Sequence, residues 1–411
     1  MVDSITALCR EAAGKACLWR RQLHEYPELG FQEFKTTSFI AERLHSFGGI
    51  DVHFPTSTGV VGVLRGGKPG KTIAFRADID ALPIHENPDH DPCSKVEGVM
   101  HACGHDAHTA TLLGTAMVLS QLQNQLAGTV LFLFQPAEEC PPGGAAAFVQ
   151  AGALKGVDMV LGMHYHVPED PGIFLVKPGP LFASTYSLHI RITGRGAHAA
   201  FPQTGVDSIL LAANLVVALN TVIPRYIENS KRAVLTITGI RSSCSHNSMP
   251  ETVELMGTIR ILDRACERFL LTKVREISEG LCGVYQARCE VELQKGYDMV
   301  ESTPAVASAV RSILITHFGE DHVKEPVPLM GGEDFSAYLN EVPGCYFRAG
   351  SCRRKPDGSV SPPHSSDYEF NDAALPTAVE AQVRILLERP LIRGGGLVRQ
   401  RWMPVETPRA G

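Results

Sequence analysis

The sequence predicts an α/β fold, in which a mainly parallel sheet covered by helices is interrupted by a smaller α+β unit. Strand-like runs of nearly continuous apolar character alternate with helical segments over the first half, as in a sheet buried on both faces. Near Ala183 the texture changes to the order β, α, β, β, α, β, which is the pattern of a separate ferredoxin-like sandwich. Beyond residue 295 the first pattern resumes. The length of 411 residues fits two or more units at roughly 150 residues each. The expected division is therefore a discontinuous unit over 1–182 and 296–390 and an insert over 183–295.

Residues 4–24 and 33–46 read as amphipathic helices. VVGVLRGG and KTIAFRADID read as strands around the turn Gly66–Gly70, which predicts a hairpin. Asp106 is a plausible N-cap for the run AHTATLLGTAMVLSQLQ, which places Leu112, Ala116 and Leu119 on one face. TVLFLFQ and VDMVLGM read as buried strands flanking the short helix GGAAAFVQAGAL. The insert holds SLHIRITG, a helix over SILLAANLVVALNTVI, AVLTITGI, TVELMGTIRI, a helix near RFLLTKVREISEGL, and CEVELQK. After it come the helix SAVRSILITHF, the Gly-rich MGGEDFSAYL, and a terminal helix from Pro376 carrying Val379, Val383, Leu386 and Leu387. The stretch 391–411 lacks periodicity and reads as an irregular tail.

Composition excludes several classes of function. With 38 Lys and Arg against 44 Asp and Glu, the net charge of −6 supplies no general attraction for nucleic acid or anionic lipid. No run of 18 apolar residues marks a transmembrane helix, and the N-terminal segment has no secretory-type apolar stretch, so a cytoplasmic chain is expected. Eleven scattered cysteines argue for reduced thiols rather than a disulfide framework.

The densest polar cluster is MHACGHDAH, which packs His101, Cys103, His105, Asp106 and His108 into residues 100–108. Soft sulfur and imidazole donors at this density suit a transition metal. Three strand-like segments end in further donors: Asp78, the pair Glu138 and Glu139, and His164. Carboxyl ends of strands are where α/β sheets place their active sites. Adjacent carboxylates are costly to bury unless a cation compensates them. In an extended segment they point oppositely, so one can ligate while the other handles a proton. A solvated acidic loop is the alternative. His364, in the Pro-rich SPPHSSDYEF, completes the candidates, and His166 alternates with His164 on the same side of an extended strand.

Taken together, RQLHEYPELGFQEF, FRADIDALP, MHACGHDAHTATLLG, FQPAEE, GMHYHVPEDPG, GRGAHAAFP, MGGEDFSAYL and PHSSDYEF closely resemble the M20 family of metallopeptidases. They match its amidohydrolase branch, which holds N-acyl-amino-acid, hippurate and indole-3-acetyl-amino-acid hydrolases. The resemblance runs in order from about Arg21 to Leu387. It implies a zinc-peptidase-like catalytic domain, a lid that also dimerises, and two divalent ions per chain, whether Zn, Mn, Co or Ni. By the same resemblance Cys103 bridges the ions, His105 and His164 complete one site, and Glu139 and His364 complete the other. The family's spacing of eight residues to Gly172 selects His164 over His166.

The resemblance further implies that Glu138 is the general base for water and that Asp78 is a carboxylate behind the metal centre. The alternative for Asp78 is a strand-end cap with Arg76. His198 corresponds to the lid histidine that stabilises the oxyanion, in related enzymes often from the partner subunit; otherwise it is a turn histidine. Asn247 and Arg260 match lid positions near the substrate carboxylate. The expected activity is hydrolysis of N-acyl amino acids by a homodimer or a dimer of dimers. A helix over SILLAANLVVALNTVI that is apolar nearly all round supports a covering partner. Gly332, where relatives commonly have Ser, and Cys140, Pro141 and Pro142, where they usually run glycines, depart from the pattern. Two rivals remain: a metal-free thiol amidase with Cys103 as nucleophile and His105 as base, and a silent binding protein on the same scaffold.

Overall fold

In the computed structural model, which describes residues 2–355 and 357–388, the apolar strands form the centre of an eight-stranded sheet. Lys68–Asp78 lies between Ala127–Gln135 and Met159–His166, parallel to both. Gly344–Gly350 continues the parallel run beside Met159–His166. Outside this centre the direction reverses. Val60–Arg65 and Ile50–His53 add antiparallel strands at one edge, and Phe174–Leu175 pairs antiparallel with Gly344–Gly350 toward the other.

The expected hairpin does not form. Val60–Arg65 and Lys68–Asp78 flank Ala127–Gln135 instead of pairing with each other. Their connection wraps the start of that strand, with Gly66 N–H donating to the Gly128 carbonyl at 2.7 Å and Lys68 N–H to that of Leu126 at 3.2 Å. A Cβ on Gly66 would stand 2.2 Å from the Leu126 oxygen, so the glycines permit a backbone crossing rather than a hairpin turn. Gly344–Gly350 goes beyond the sequence reading. All seven of its residues are buried, so no polar alternation marks it as a strand.

The helix His105–Gln121 covers one face of the sheet and is buried from His105 to Leu119. Helices Val2–Glu25 and Leu375–Glu388 pack over it, and Gly114 marks the close approach, where a Cβ would lie 3.2 Å from Val379 and 3.6 Å from Ala16. Its N-cap is Gly104 rather than Asp106. Gly104 has φ +85, and a Cβ there would meet the Tyr368 hydroxyl at 2.7 Å. Asp106 sits in the first turn, suited to the helix dipole, and accepts from His24 Nδ1 at 2.9 Å and Arg20 Nη1 at 3.3 Å.

The insert forms its own four-stranded sheet in the order Ala233–Arg241, Thr252–Ile261, Ser184–Thr193, Arg288–Lys295, all antiparallel. Helices Ser208–Asn220 and Arg264–Val284, capped by the Asp207 and Asp263 side chains, cover a separate core that includes Ile190, Leu215, Leu255 and Leu270. The first of these helices turns Leu211, Leu215 and Leu219 inward and leaves Ile209, Leu210 and Val217 exposed. No helix among the described residues is long and apolar enough to cross a membrane. The expected tail at 391–411 lies outside the described residues.

Candidate metal centre and active site

The pleat of the central strands sorts the site. Phe75, Phe132, Leu161 and Phe347 face the layer of buried helices, while Ala74, Leu133, Val160 and Tyr346 face the opposite layer. Two or four residues farther along, the positions on that second face become Asp78, Gln135, His164 and Arg348. Asp78 stands opposite Gln135 and His164 opposite Arg348 in register. One face of the sheet is thus apolar along its length and polar at its carboxyl end, where the cluster assembles.

Cys103, His105, Glu139, His164 and His364 converge there. Potential ligand atoms of Cys103, His105 and His164 lie within 4.8 Å of one another, as do those of Cys103, Glu139 and His364, so the cysteine belongs to both sets. Cys103 Sγ is 3.5 Å from His164 Nε2, and His364 Nε2 is 2.9 Å from Glu139 Oε1. The imidazoles are oriented from behind. His105 Nδ1 donates to the Asp80 carbonyl at 3.0 Å and its carboxylate at 3.1 Å, and His164 Nδ1 donates to the Tyr165 carbonyl at 2.5 Å. With Nδ1 engaged in each ring, both Nε2 atoms are left facing the side of the sulfur.

These donors fit a pair of divalent ions. His105 Nε2 is buried without a hydrogen-bond partner. Hydrogen bonds with Cys103 and Glu139 hold His364 at about 10. Against burial, which pulls it down, Asp78 and Cys103 hold His105 well above its ordinary range. The anionic donors thus favour positive charge on both imidazoles, a demand that metal ions meet when they displace those protons.

Glu138 adjoins the cluster from the other side. It follows Ala137, a non-glycine residue at φ +52, whose N–H donates to the buried Glu33 carboxylate at 2.8 Å. This strained corner turns the chain after Gln135, and the two carboxylates do not point oppositely as the extended-strand expectation had it: an oxygen of each lies within 4.8 Å of the other and of a His105 nitrogen. Burial, followed by Glu333, Glu139 and Asp334, pushes the Glu138 carboxyl well above its usual range. Tyr297, just past the end of the insert, donates its hydroxyl to the Glu138 carbonyl at 2.5 Å and ties the exit from the insert to this corner. His364 is also held at positive φ, +63, with its N–H on the Ala102 carbonyl at 2.8 Å.

Asp78 makes the pair with Arg76, but the imidazole hydrogen-bonded to it is His108 rather than one of the expected metal ligands. It pairs with Arg76 at 2.7 Å and accepts from His108 Nδ1 at 2.5 Å, while His108 Nε2 accepts the Tyr165 N–H at 3.0 Å. His108 is thereby occupied at both nitrogens. The carboxylate that orients the expected metal ligands is Asp80, which also accepts the Glu139 N–H at 3.0 Å. Sequence reading missed it, although the spacing in Asp78–Ile79–Asp80 puts both carboxylates on one side of an extended segment. Also unforeseen are Glu333 and Asp334 of MGGEDF. They meet the buried Arg76 at 3.1 and 2.8 Å and hold the floor beneath Glu138.

The lid residues divide. Arg260 lines a cleft of about 830 Å³ between the two units, together with Cys103, Glu138, His164 and His364. Gly332 lines it too, and a side chain there would press on Thr185 at 2.8 Å and Tyr297 at 3.1 Å. His198 and Asn247 do not line the cleft. They sit exposed on a short ribbon where Ala197–His198 pairs with Ser248–Met249, and Ala199 N–H donates to the Asn247 carbonyl at 3.0 Å.

Comparison with known proteins places this arrangement. Residues 74–388 match the model of Peptidase family M20/M25/M40. The chain is 39% identical over 359 residues to thermostable carboxypeptidase 1 of Saccharolobus solfataricus, covering 87% of this chain and 90% of that one. It is 42% identical over 295 residues to the N-acyl-L-amino acid amidohydrolase of Geobacillus stearothermophilus, covering 72% and 80%. Its structure is similar to that of the Bacillus subtilis YXEP protein, a dinuclear metal binding peptidase, with a TM-score of 0.81, 32% identity, and 92% and 98% of the two chains covered. The chain belongs to the peptidase family M20/M25/M40.

Proposed function

We propose that this protein is a metal-dependent amidohydrolase that cleaves N-acyl amino acids to a carboxylic acid and a free amino acid. The observation that carries the reading is the double membership of Cys103 in two donor sets, with Glu138 beside them. In this reading Cys103, His105 and His164 would hold one divalent ion and Cys103, Glu139 and His364 the other, with soft sulfur favouring a zinc-like transition metal over magnesium or calcium. Bound there, the ions supply Lewis-acid polarisation of the amide carbonyl and of water. Glu138 would serve as the general base that takes a proton from the attacking water and returns it to the leaving amine; a buried carboxyl whose affinity for protons is raised suits both roles. Asp80 fixes His105 and the backbone of Glu139. Arg260 receives the carboxylate of the amino-acid half.

His198 and Asn247 need a second copy of the chain to reach a site, and a homodimer supplies one. The exposed Ile209, Leu210 and Val217 of Ser208–Asn220 and the unpaired edge of Ala233–Arg241 suit such a contact. His198 of one copy then stabilises the tetrahedral oxyanion in the cleft of the other. Cys103 has more donors around it than a thiol–imidazole pair requires, which favours a metal centre over a thiol amidase. The test is hydrolysis of an N-acyl amino acid panel before and after chelation and metal add-back. Recovery of turnover with metal supports the reading, and full turnover without metal overturns it.

A further inference from the structure

Two arginines in the cleft have no carboxylate within ion-pair reach among the described residues, Arg260 on the lid and Arg348 on the sheet. They differ in depth. Arg260 is half-buried, whereas Arg348 is only 2% exposed. A guanidinium is always charged, and burying it without an anion is costly. The amino-acid half of an N-acyl amino acid supplies one obligatory carboxylate, for which Arg260 already serves. Arg348 is left over.

The surroundings of Arg348 leave most of its hydrogen-bonding capacity unused. Nη2 donates to the Val327 carbonyl at 3.0 Å, and the guanidinium carbon lies 5.7 Å from the centre of the Phe182 ring. Nε is buried without a partner. One carbonyl and one aromatic face occupy few of the five donors of a fork built for carboxylate. The neighbour that could have paired with it is already used. Glu333 is taken by the Tyr346 hydroxyl and Arg76. Arg348 also stands directly beside His164 in the parallel pair and shares its face, so its side chain lies along the cleft from the metal ligands. A cleft of about 830 Å³ has room for a substrate larger than the smallest acetylated amino acids.

We propose that Arg348 forms an anion subsite that selects N-acyl amino acids bearing a second carboxylate, either on the acyl chain or on the amino-acid side chain. The proposal rests on the amidohydrolase reading and narrows its substrate class.

The experiment compares three compounds on the full-length, metal-loaded protein. N-acetyl-L-methionine has one carboxylate, N-acetyl-L-glutamate adds one on the amino-acid half, and N-succinyl-L-methionine adds one on the acyl half. The expected result is that one diacid exceeds the monoacid at least tenfold in kcat/KM, and the identity of that diacid locates the second carboxylate. Arg348→Met should collapse that ratio at least tenfold, mainly through KM, and Arg348→Lys should restore part of it. Equal kcat/KM for all three compounds in the natural protein overturns the proposal, as do equal proportional losses on monoacid and diacid in the variants. The natural protein alone therefore decides if a variant does not fold. Calorimetric binding of the same compounds separates the two readings. If no amide is cleaved but a diacid binds more tightly through Arg348, the anion subsite stands and the hydrolase reading falls; equal binding of monoacid and diacids sinks the subsite.

Discussion

The carboxyl end of the large sheet and the ribbon of the lid hold residues of comparable chemical interest in opposite states of completion. At the sheet, Cys103, His105, Glu139, His164 and His364 meet within one chain, with His105 and the Glu139 backbone held by the buried Asp80 carboxylate and His164 by the Tyr165 carbonyl. On the ribbon, His198 and Asn247 are exposed, and His198 Nδ1 accepts only the nearby Ala200 N–H at 3.1 Å. The difference separates what the fold of one chain brings together from what, on the proposed homodimer, a second copy would bring. A metal centre needs ligands fixed closely, which buried strand ends provide. An oxyanion donor can be delivered later by a second copy.

This contrast can be broken most forcefully at Glu138. Glu138→Gln should lower kcat by ~10²–10⁴-fold, the range for a general base, with metal content unchanged by elemental analysis. His198→Ala should cost about 10²–10³-fold in kcat, as loss of an oxyanion donor does, and should also leave metal in place. Mixing these two inactive proteins under subunit exchange should restore about a quarter of natural activity, because half of a random dimer population is hybrid and one of its two sites is intact. No recovery despite demonstrated exchange would place His198 outside a shared site.

Smaller effects sharpen the same boundary. Asp80→Asn should weaken metal affinity by about 10–100-fold in competition with a chromogenic chelator, since it loosens both His105 and the Glu139 backbone. Asn247→Ala should leave that affinity unchanged. Asp207→Ala removes the cap of the lid helix Ser208–Asn220 and should cost about 1 kcal/mol in denaturant unfolding of the lid, again without metal loss.

How much of this was legible in the sequence follows the reach of each interaction. The order of elements in the insert could be read because alternation and helical periodicity are local. The donors of MHACGHDAH, FQPAEE and GMHYHV could be read because they sit at strand ends or in one dense cluster. The false hairpin at Gly66–Gly70 failed because the turn's glycines serve a backbone crossing against Leu126–Gly128, some sixty residues away. Gly344–Gly350 gave no signal because both of its faces are buried. Asp80 was overshadowed by Asp78, whose role depends on whether His105 or His108 lies opposite, and that is set by the rotation of a helix on a sheet. Arg348 carried no motif; its isolation from carboxylates exists only in three dimensions.

The central claim is that two divalent ions held through Cys103 make this chain a hydrolase of N-acyl amino acids. Its most direct test is metal content by elemental analysis on the natural protein and Cys103→Ala, with amide hydrolysis followed on the same samples before and after chelation. The account predicts about two ions per natural chain, loss of metal together with turnover in Cys103→Ala, and recovery of the chelated natural protein on metal add-back. Undiminished turnover in the metal-free natural protein, abolished by Cys103→Ala, would contradict it and make the cysteine a nucleophile.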